Sequence, residues 1–346
     1  MSGPVSAGPI VPAPGVVTRT IIVGAGLMGQ WHADAVRRVG GRVVAIVDPR
    51  TSNAAALARR HSGAATFAAL EPALDSIGAG TVHICTPRES HAPLAHSALR
   101  AGCHVLIEKP FAGRHEDALE VLALAASVGR LACPVHQFLF QPGALHAVTA
   151  LRELGTLLHL EAEVCSTGAE RGVAGPDEVA LEILPHALSF AARFCPEPID
   201  GVPWSHFCSQ PGELTVHATV GPTMVSARIS MRGRPPANNI RLVAERGTIH
   251  LDLFHGFAIV DRSGSSRLMK VSRPSLFSAR LALAASGSLA RRALQRETAY
   301  PGLRELVRRF YAAAATGAAS PIAPAETGAV SAVWSALNSR VLTGVR

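Results

Sequence analysis

The sequence predicts two domains: an α/β domain built on a parallel sheet, followed by an α+β domain with an open, mainly antiparallel sheet. Three observations lead there. The chain is 346 residues long, and a domain commonly takes about 100–200 residues. Hydrophobic residues make up 48% and charged residues 17%, which supplies apolar material for two cores and excludes disorder over most of the chain. Strand-like and helix-like stretches alternate in the first half, whereas strand-like runs follow one another in the second.

Taken in order, TIIV at 20–23 runs into a glycine turn and a helix over 27–39. VVAIV at 43–47 ends at Asp48 and leads to a helix over 52–60. TVHIC at 81–85 ends at Thr86-Pro87 before a helix over 93–101, and HVLI at 104–107 ends at Glu108-Lys109-Pro110 before a helix over 116–127. A short run at 131–135 closes the series. Such alternation implies βαβ units and a parallel sheet, and the near-continuous Val/Ile content fits strands covered on both faces. After a helix over 144–154, strand-like runs at 157–164, 213–220, 223–231, 240–245 and 248–253 follow. Arg232-Gly233 and Arg246-Gly247 read as turns between them. A helix over 178–194 interrupts this set, and helices over 276–296, 301–316 and 323–341 end the chain.

The formal charge of +8 comes mostly from scattered arginines, with Lys109 and Lys270 the only lysines. No nucleic-acid module accompanies it, so no nucleic-acid partner is expected. No run reaches the ~18–20 apolar residues of a membrane span. Residues 1–17 read as a loose Pro/Gly tail and not as a signal peptide. The six cysteines are spread without a C-x-x-C pair, which fits reduced thiols in a cytoplasmic protein. The histidines lack ligand spacing such as H-E-x-x-H, and no metal site is expected.

Gly24-Ala25-Gly26-Leu27-Met28-Gly29 matches G-x-G-x-x-G between a strand and a helix. Gly24 permits the turn, Gly26 lets backbone approach a pyrophosphate, and Gly29 lets the helix pack closely. The amides at Leu27 and Met28 would face the phosphate at the helix start. Asp48 lies 19 residues after Gly29 and ends the next strand, placed to accept from ribose hydroxyls. This is a dinucleotide (Rossmann) fingerprint. It predicts NAD, with NADP the alternative that Arg50 leaves open. The domain plan is therefore a flexible tail over 1–17, a dinucleotide-binding domain over 18–138, and a substrate and oligomerisation domain over 139–346 whose last helix braces the first.

Thr86-Pro87-Arg88-Glu89-Ser90-His91 and Glu108-Lys109-Pro110 resemble the T-P-x-x-x-H and E-K-P segments of the glucose–fructose oxidoreductase/inositol dehydrogenase/rhizopine-catabolism (Gfo/Idh/MocA) family. The resemblance continues through His136-Gln137, Pro142, Leu154-Gly155, Glu182-Ile183-Leu184-Pro185-His186 and 321–336. It implies NAD(P)-dependent hydride transfer between the nicotinamide and a secondary alcohol or ketone of a sugar, nucleotide sugar or cyclitol. It also implies that Lys109 and His186 handle the proton, that Glu182 binds substrate, and that Thr86, Pro87, His91 and Glu108 lie along the cofactor.

The residues support part of this independently. Lys109 follows a strand that should end at the carboxyl edge, where ligands bind in open α/β sheets. Desolvation and a nicotinamide's positive charge would both lower its pKa there. Glu182 and His186, four apart, share a helix face. Two departures from the family pattern stand out: Glu replaces the usual Asp at 182, and Pro185 replaces the usual Gly, so the helix should bend or begin near it. His136 or Gln137 could reach the substrate, while Phe138-Leu139-Phe140 suggests a less polar pocket. That segment keeps open an imine or enone reductase, and Glu182 with Pro185 a non-catalytic cofactor-binding scaffold. A homo-oligomer, dimer or tetramer through the C-terminal sheet, is expected because one sheet face needs cover. The apolar and basic stretch at 276–296 reads as a crossover helix, an oligomer contact or a membrane-surface helix, with membrane contact the least favoured.

Overall fold

In the computed structural model, residues 18–61, 63–167, 175–262, 267–297 and 301–343 are described; the expected tail at 1–17 lies outside them. The chain divides into two compact units. One holds the described residues up to Val135 together with Leu303–Pro324, and the other holds His136–Gly302 and Ala325–Arg346.

The first unit carries a six-stranded sheet whose pairs are all parallel, in the order β3-β2-β1-β4-β5-β6. Its strands are β1 (Arg19–Val23), β2 (Arg42–Val47), β3 (Ala65–Phe67), β4 (Thr81–Ile84), β5 (His104–Ile107) and β6 (Ala132–Pro134). Helices α1 (Leu27–Arg38), α2 (Thr51–Ala58), α3 (Leu70–Ser76), α4 (His91–Arg100) and α5 (His115–Ser127) form the crossovers. Ile21, Ile22, Ile46, Val82, Ile84, Val105, Leu106 and Ile107 are wholly buried, so consecutive side chains on both faces are covered, as the Val/Ile runs predict. Each contributes roughly 1.5–3 kcal/mol over exposure. The short elements β3 and α3 were not anticipated. Ala65-Thr66-Phe67 is a half-exposed edge strand too short to show a period, and α3 buries only Leu70 and Ala73.

The second unit carries a seven-stranded sheet, β13-β12-β11-β7-β10-β9-β8. These are β7 (Leu157–Cys165), β8 (Ser205–Cys208), β9 (Glu213–Val220), β10 (Thr223–Ser230), β11 (Ala237–Ala244), β12 (Gly247–Asp252) and β13 (Phe257–Arg262). Alternation is clean: Leu214, Val216, Ala218 and Val220 are buried on β9, with polar residues between them, the mark of a sheet covered on one face. The sheet is mainly antiparallel, but β7 and β10 run parallel. A parallel neighbour needs a crossover, and α7 (Pro176–Phe194) with β8 and β9 supplies it. Helix α6 (Pro142–Leu154) opens this unit and α8 (Arg267–Gln295) follows the sheet. α9 (Leu303–Thr316) returns to the first unit, and α10 (Pro324–Thr343) ends the chain.

The expectation that the helix bends or begins near Pro185 is corrected in one part: the helix does not begin there. α7 runs unbroken from Pro176 to Phe194 with Pro185 inside it. Proline has no N–H to offer the carbonyl four residues earlier, which is Leu181. The indole Nε1–H of Trp334 on α10 donates to that carbonyl at 2.8 Å instead. A distant side chain thus takes the place of the missing backbone donor.

Candidate functional site

Parallel strands deliver their loops to one edge. Gly24 N donates to Val47 O, Cys85 N to Val23 O, Glu108 N to Ile84 O, and Val135 N to Ile107 O, at 2.8–2.9 Å. These bonds knit the ends of β1, β2, β4, β5 and β6 along the carboxyl edge. The strand order reverses between β1 and β4, the switch point where open α/β sheets bind ligands.

The glycine turn opens α1 at that point. Gly24 has φ +93°, and a Cβ on it would lie 2.4 Å from Cys85 O. A Cβ on Gly29 would lie 1.8 Å from Gly24 O, while one on Gly26 meets nothing within 4 Å. The turn is thus closed on its protein side and open over Gly26, a cradle that a pyrophosphate fits. Leu27 and Met28 begin α1, whose first turn has neither a side-chain cap nor an acid. Its amides are therefore left to a phosphate.

Asp48 is 5% exposed. Its Oδ2 accepts from Ala25 N and its Oδ1 from Arg50 N, both at 2.9 Å. The carboxylate is held beside the turn with lone pairs remaining for hydroxyl donors. The Arg50 guanidinium is largely solvated and lies 3.9 Å from Asp48.

The third group lies at β4 and β5. Thr86 Oγ1 accepts from Ser90 Oγ at 2.7 Å, and Pro87 leads a 3₁₀ turn over Arg88–Ser90. The buried His91 ring spans the two loops: Nδ1 is 2.8 Å from Pro110 O and Nε2 is 2.8 Å from Thr86 O. Burial pulls its pKa down, against the pull of the two carbonyls. Glu108 is 6% exposed. Burial raises its carboxyl pKa, but the His32 N–H, the charges of His32 and Lys109, and the Lys109 amide more than offset that, leaving it below its ordinary value. Burial and the Glu108 charge push the Cys85 thiol well up, so it stays protonated. The Lys109–Pro110 bond is cis.

The second unit gathers the remaining candidates. His136 and Gln137, 2% and 4% exposed, lead a 3₁₀ turn that packs on α7. The Phe138 ring tilts against the His186 ring at 4.5 Å between centroids. Leu139 and Phe140 are buried, so most of the apolar character of this segment goes into the unit's own core. Glu182, half-buried, stands one turn before His186 on the same helix. Gln137 Oε1 is buried without a hydrogen-bond partner among the described residues.

Sequence reasoning passed over His32, His83 and Tyr311, which stand behind Glu108. His32 continues the inner face of α1 marked by Gly29, Ala33 and Val36, and His83 sits in a strand buried at every position. A histidine at each such place signals a buried partner, but the pairing itself is invisible along the chain.

Residues 18–136 match the family model GFO_IDH_MocA, described as an oxidoreductase family with an NAD-binding Rossmann fold. Inositol 2-dehydrogenase of Corynebacterium glutamicum is 36% identical over 108 residues, covering 31% of this chain and 32% of that one. Inositol 2-dehydrogenase of Leifsonia xyli is 39% identical over 174 residues, covering 48% of each. The chain thus spans about a third to a half of the length of these relatives. The WlbA dehydrogenase of Bordetella pertussis, solved with NADH and UDP-GlcNAcA, superposes with a TM-score of 0.74 at 16% identity, covering 95% of this chain and 96% of that one. That likeness concerns the fold.

Proposed function

We propose that the chain belongs, through the NAD-binding Rossmann fold of residues 18–136, to the Gfo/Idh/MocA oxidoreductase family, and that it oxidises or reduces a secondary alcohol or ketone of a cyclitol, sugar or nucleotide sugar. The observation that carries the reading is Lys109 beside an ionised, buried Glu108 at the carboxyl edge of the sheet that holds the glycine turn. The inositol dehydrogenases among its relatives support the substrate class.

The turn at Gly24, Gly26 and Gly29 with the amides of Leu27 and Met28 would hold the pyrophosphate, and Asp48 the adenosine ribose. Thr86, Pro87, His91 and Glu108 would line the nicotinamide half. When bound, the nicotinamide accepts or donates hydride. Lys109 takes the proton of the substrate hydroxyl at Nζ as the carbonyl forms, and returns it in the reverse direction. His186 shares that proton handling, and Glu182, His136 and Gln137 orient the substrate's other polar groups. A panel of cyclitols, ketoses and nucleotide sugars, followed by NADH absorbance, tests the reading. Turnover of at least one is expected, and silence across the panel with NAD bound would overturn it.

Cofactor choice gives a separate expectation. A carboxylate at Asp48 pairs with ribose hydroxyls and repels a 2′-phosphate, and bonds of this kind are worth roughly 1.5–3 kcal/mol. Calorimetric titration should find NADH bound about tenfold or more tightly than NADPH. The opposite order would transfer the decision to Arg50.

A homo-oligomer remains part of the proposal. The outward sheet face carries paired charges, Arg228 with Glu163 at 3.3 Å and Arg241 with Glu161 at 3.1 Å. Large exposed apolar residues stand on the sheet, where Phe207 and Met224 are 63% and 53% exposed, and on α8, where Leu283, Leu289 and Leu294 are 72–86% exposed. A second subunit spanning the sheet and α8 would cover both. Light scattering should give a multiple of 36.1 kDa at micromolar concentration, and a monomer mass would count against it.

A further inference from the structure

Behind Lys109 the first unit holds a continuous hydrogen-bonded path, running from the amino ends of β1 and β4 to the carboxyl edge of the sheet. Thr20 and Thr81, register partners on β1 and β4, have hydroxyls 2.8 Å apart. Thr20 Oγ1 is 2.6 Å from Tyr311 OH, which is 3.4 Å from His83 Nε2. His83 Nδ1 is 3.1 Å from His32 Nδ1, and His32 Nε2 is 3.1 Å from Glu108 Oε1. Tyr311 is 7% exposed, Glu108 6%, and the other four 0%.

The carboxylate sets the direction of every bond, because it can only accept. His32 donates Nε2–H to Glu108. In its neutral form His32 has one N–H, and its Nδ1 then accepts from His83 Nδ1–H. His83 Nε2 then accepts the Tyr311 O–H, Tyr311 accepts from Thr20, and Thr20 from Thr81. All six groups are satisfied, and all the bonds polarise toward Glu108, which strengthens each of them. Burial, then the neighbouring His32, pulls His83 well below its ordinary pKa and keeps it neutral. Burial pushes the Tyr311 phenol up, so it keeps its proton. The second oxygen of Glu108 accepts from the Lys109 amide at 3.2 Å.

We propose that His32 is a positioning residue for Lys109: backed by His83 and Tyr311, it holds Glu108 as a carboxylate bound to the Lys109 main chain and facing the lysine's charge. The inference rests on the reading that Lys109 carries the substrate proton. The titratable groups whose fields meet at Glu108 are His32 from α1, Cys85 after β4, His91 from α4 and Lys109 itself. Burial keeps the Cys85 thiol protonated and both nitrogens of the His91 ring are engaged by the Pro110 and Thr86 carbonyls, whereas the carboxylate binds the Lys109 amide directly. Without the His32 donor, a buried Glu108 takes up a proton and its negative charge beside Lys109 is lost.

The two lysines make this measurable without a substrate. Reductive methylation with isotope-labelled formaldehyde keeps their charge and gives Lys109 and Lys270 separate NMR signals. In His32→Leu, the methyl signals of Lys109 are expected to move at pH 7, while those of Lys270 stay in place. His32→Gln, which keeps a donor toward Glu108, should restore them. Unmoved Lys109 signals in a folded His32→Leu chain that still binds NADH overturn the proposal. Labelled histidine in the unsubstituted chain gives a second reading that needs no variant. A proton on His32 Nε2, facing Glu108, is expected, and an Nε2 without one overturns it. Neither measurement uses turnover, so a Lys109 that proves idle in catalysis is a distinct failure.

Discussion

Lys109→Met should turn over roughly 10²–10⁴-fold more slowly than the unsubstituted chain, the usual contribution of a positioned acid–base group. Methionine keeps the approximate length and volume and removes the ammonium. The loss belongs in kcat at saturating NAD, because the glycine turn and Asp48, which grip the dinucleotide, are untouched. NADH binding by fluorescence should change little. His186→Asn should also slow turnover, by less. The measurement is steady-state kinetics on the best substrate from the panel, with circular dichroism as a fold check. A folded Lys109→Met that kept near-normal kcat would move the proton route to His186.

Gly29→Ala and Gly26→Ala should separate two functions of one turn. A methyl on Gly29 falls 1.8 Å from the Gly24 carbonyl oxygen, backbone that cannot yield without opening the turn. Overpacking of this kind costs about 1–3 kcal/mol, and it should appear both in thermal stability and as a roughly 5- to 150-fold loss of NADH affinity. A methyl on Gly26 meets no atom within 4 Å, so stability should hold within about 0.5 kcal/mol. The methyl occupies the side from which a pyrophosphate comes, so NADH affinity should still fall. Paired melting curves and NADH titrations check both. Equal affinity for Gly26→Ala and the unsubstituted chain would put the pyrophosphate elsewhere.

The legibility of the fold followed the length of its signals. β1, β2, β4 and β5 announced themselves as apolar runs because both their faces are buried, and each ended at a residue the turn chemistry marks: Gly24, Asp48, Thr86-Pro87 and Glu108-Lys109-Pro110. Three-residue β3 had no period to display. Pro185 read as a place where the helix bends or begins, because the local rule holds for any isolated helix. The helix does not begin there, and the donor that satisfies Leu181 O comes from Trp334, 153 residues later. The polar residues of the outward sheet face were hidden in the same way: alternation marks which side chains leave the core, but the pairing of Arg228 with Glu163 depends on the β7–β10 register.

What the sequence by itself determined is the set of local necessities. The glycine turn that starts at Gly24, the acid at 48 and the lysine at 109 each follow a strand end, and a strand end can be recognised from the few residues on either side of it. What only the tertiary structure decided is which polar groups meet once buried. His32, His83 and Tyr311 lie on α1, β4 and α9, up to 279 residues apart in the chain. No propensity or spacing relates them. They are joined because each would otherwise leave a polar atom unpaired in the interior, a cost of about 1–3 kcal/mol apiece, and the fold brings them into one hydrogen-bonded chain that ends on a buried carboxylate.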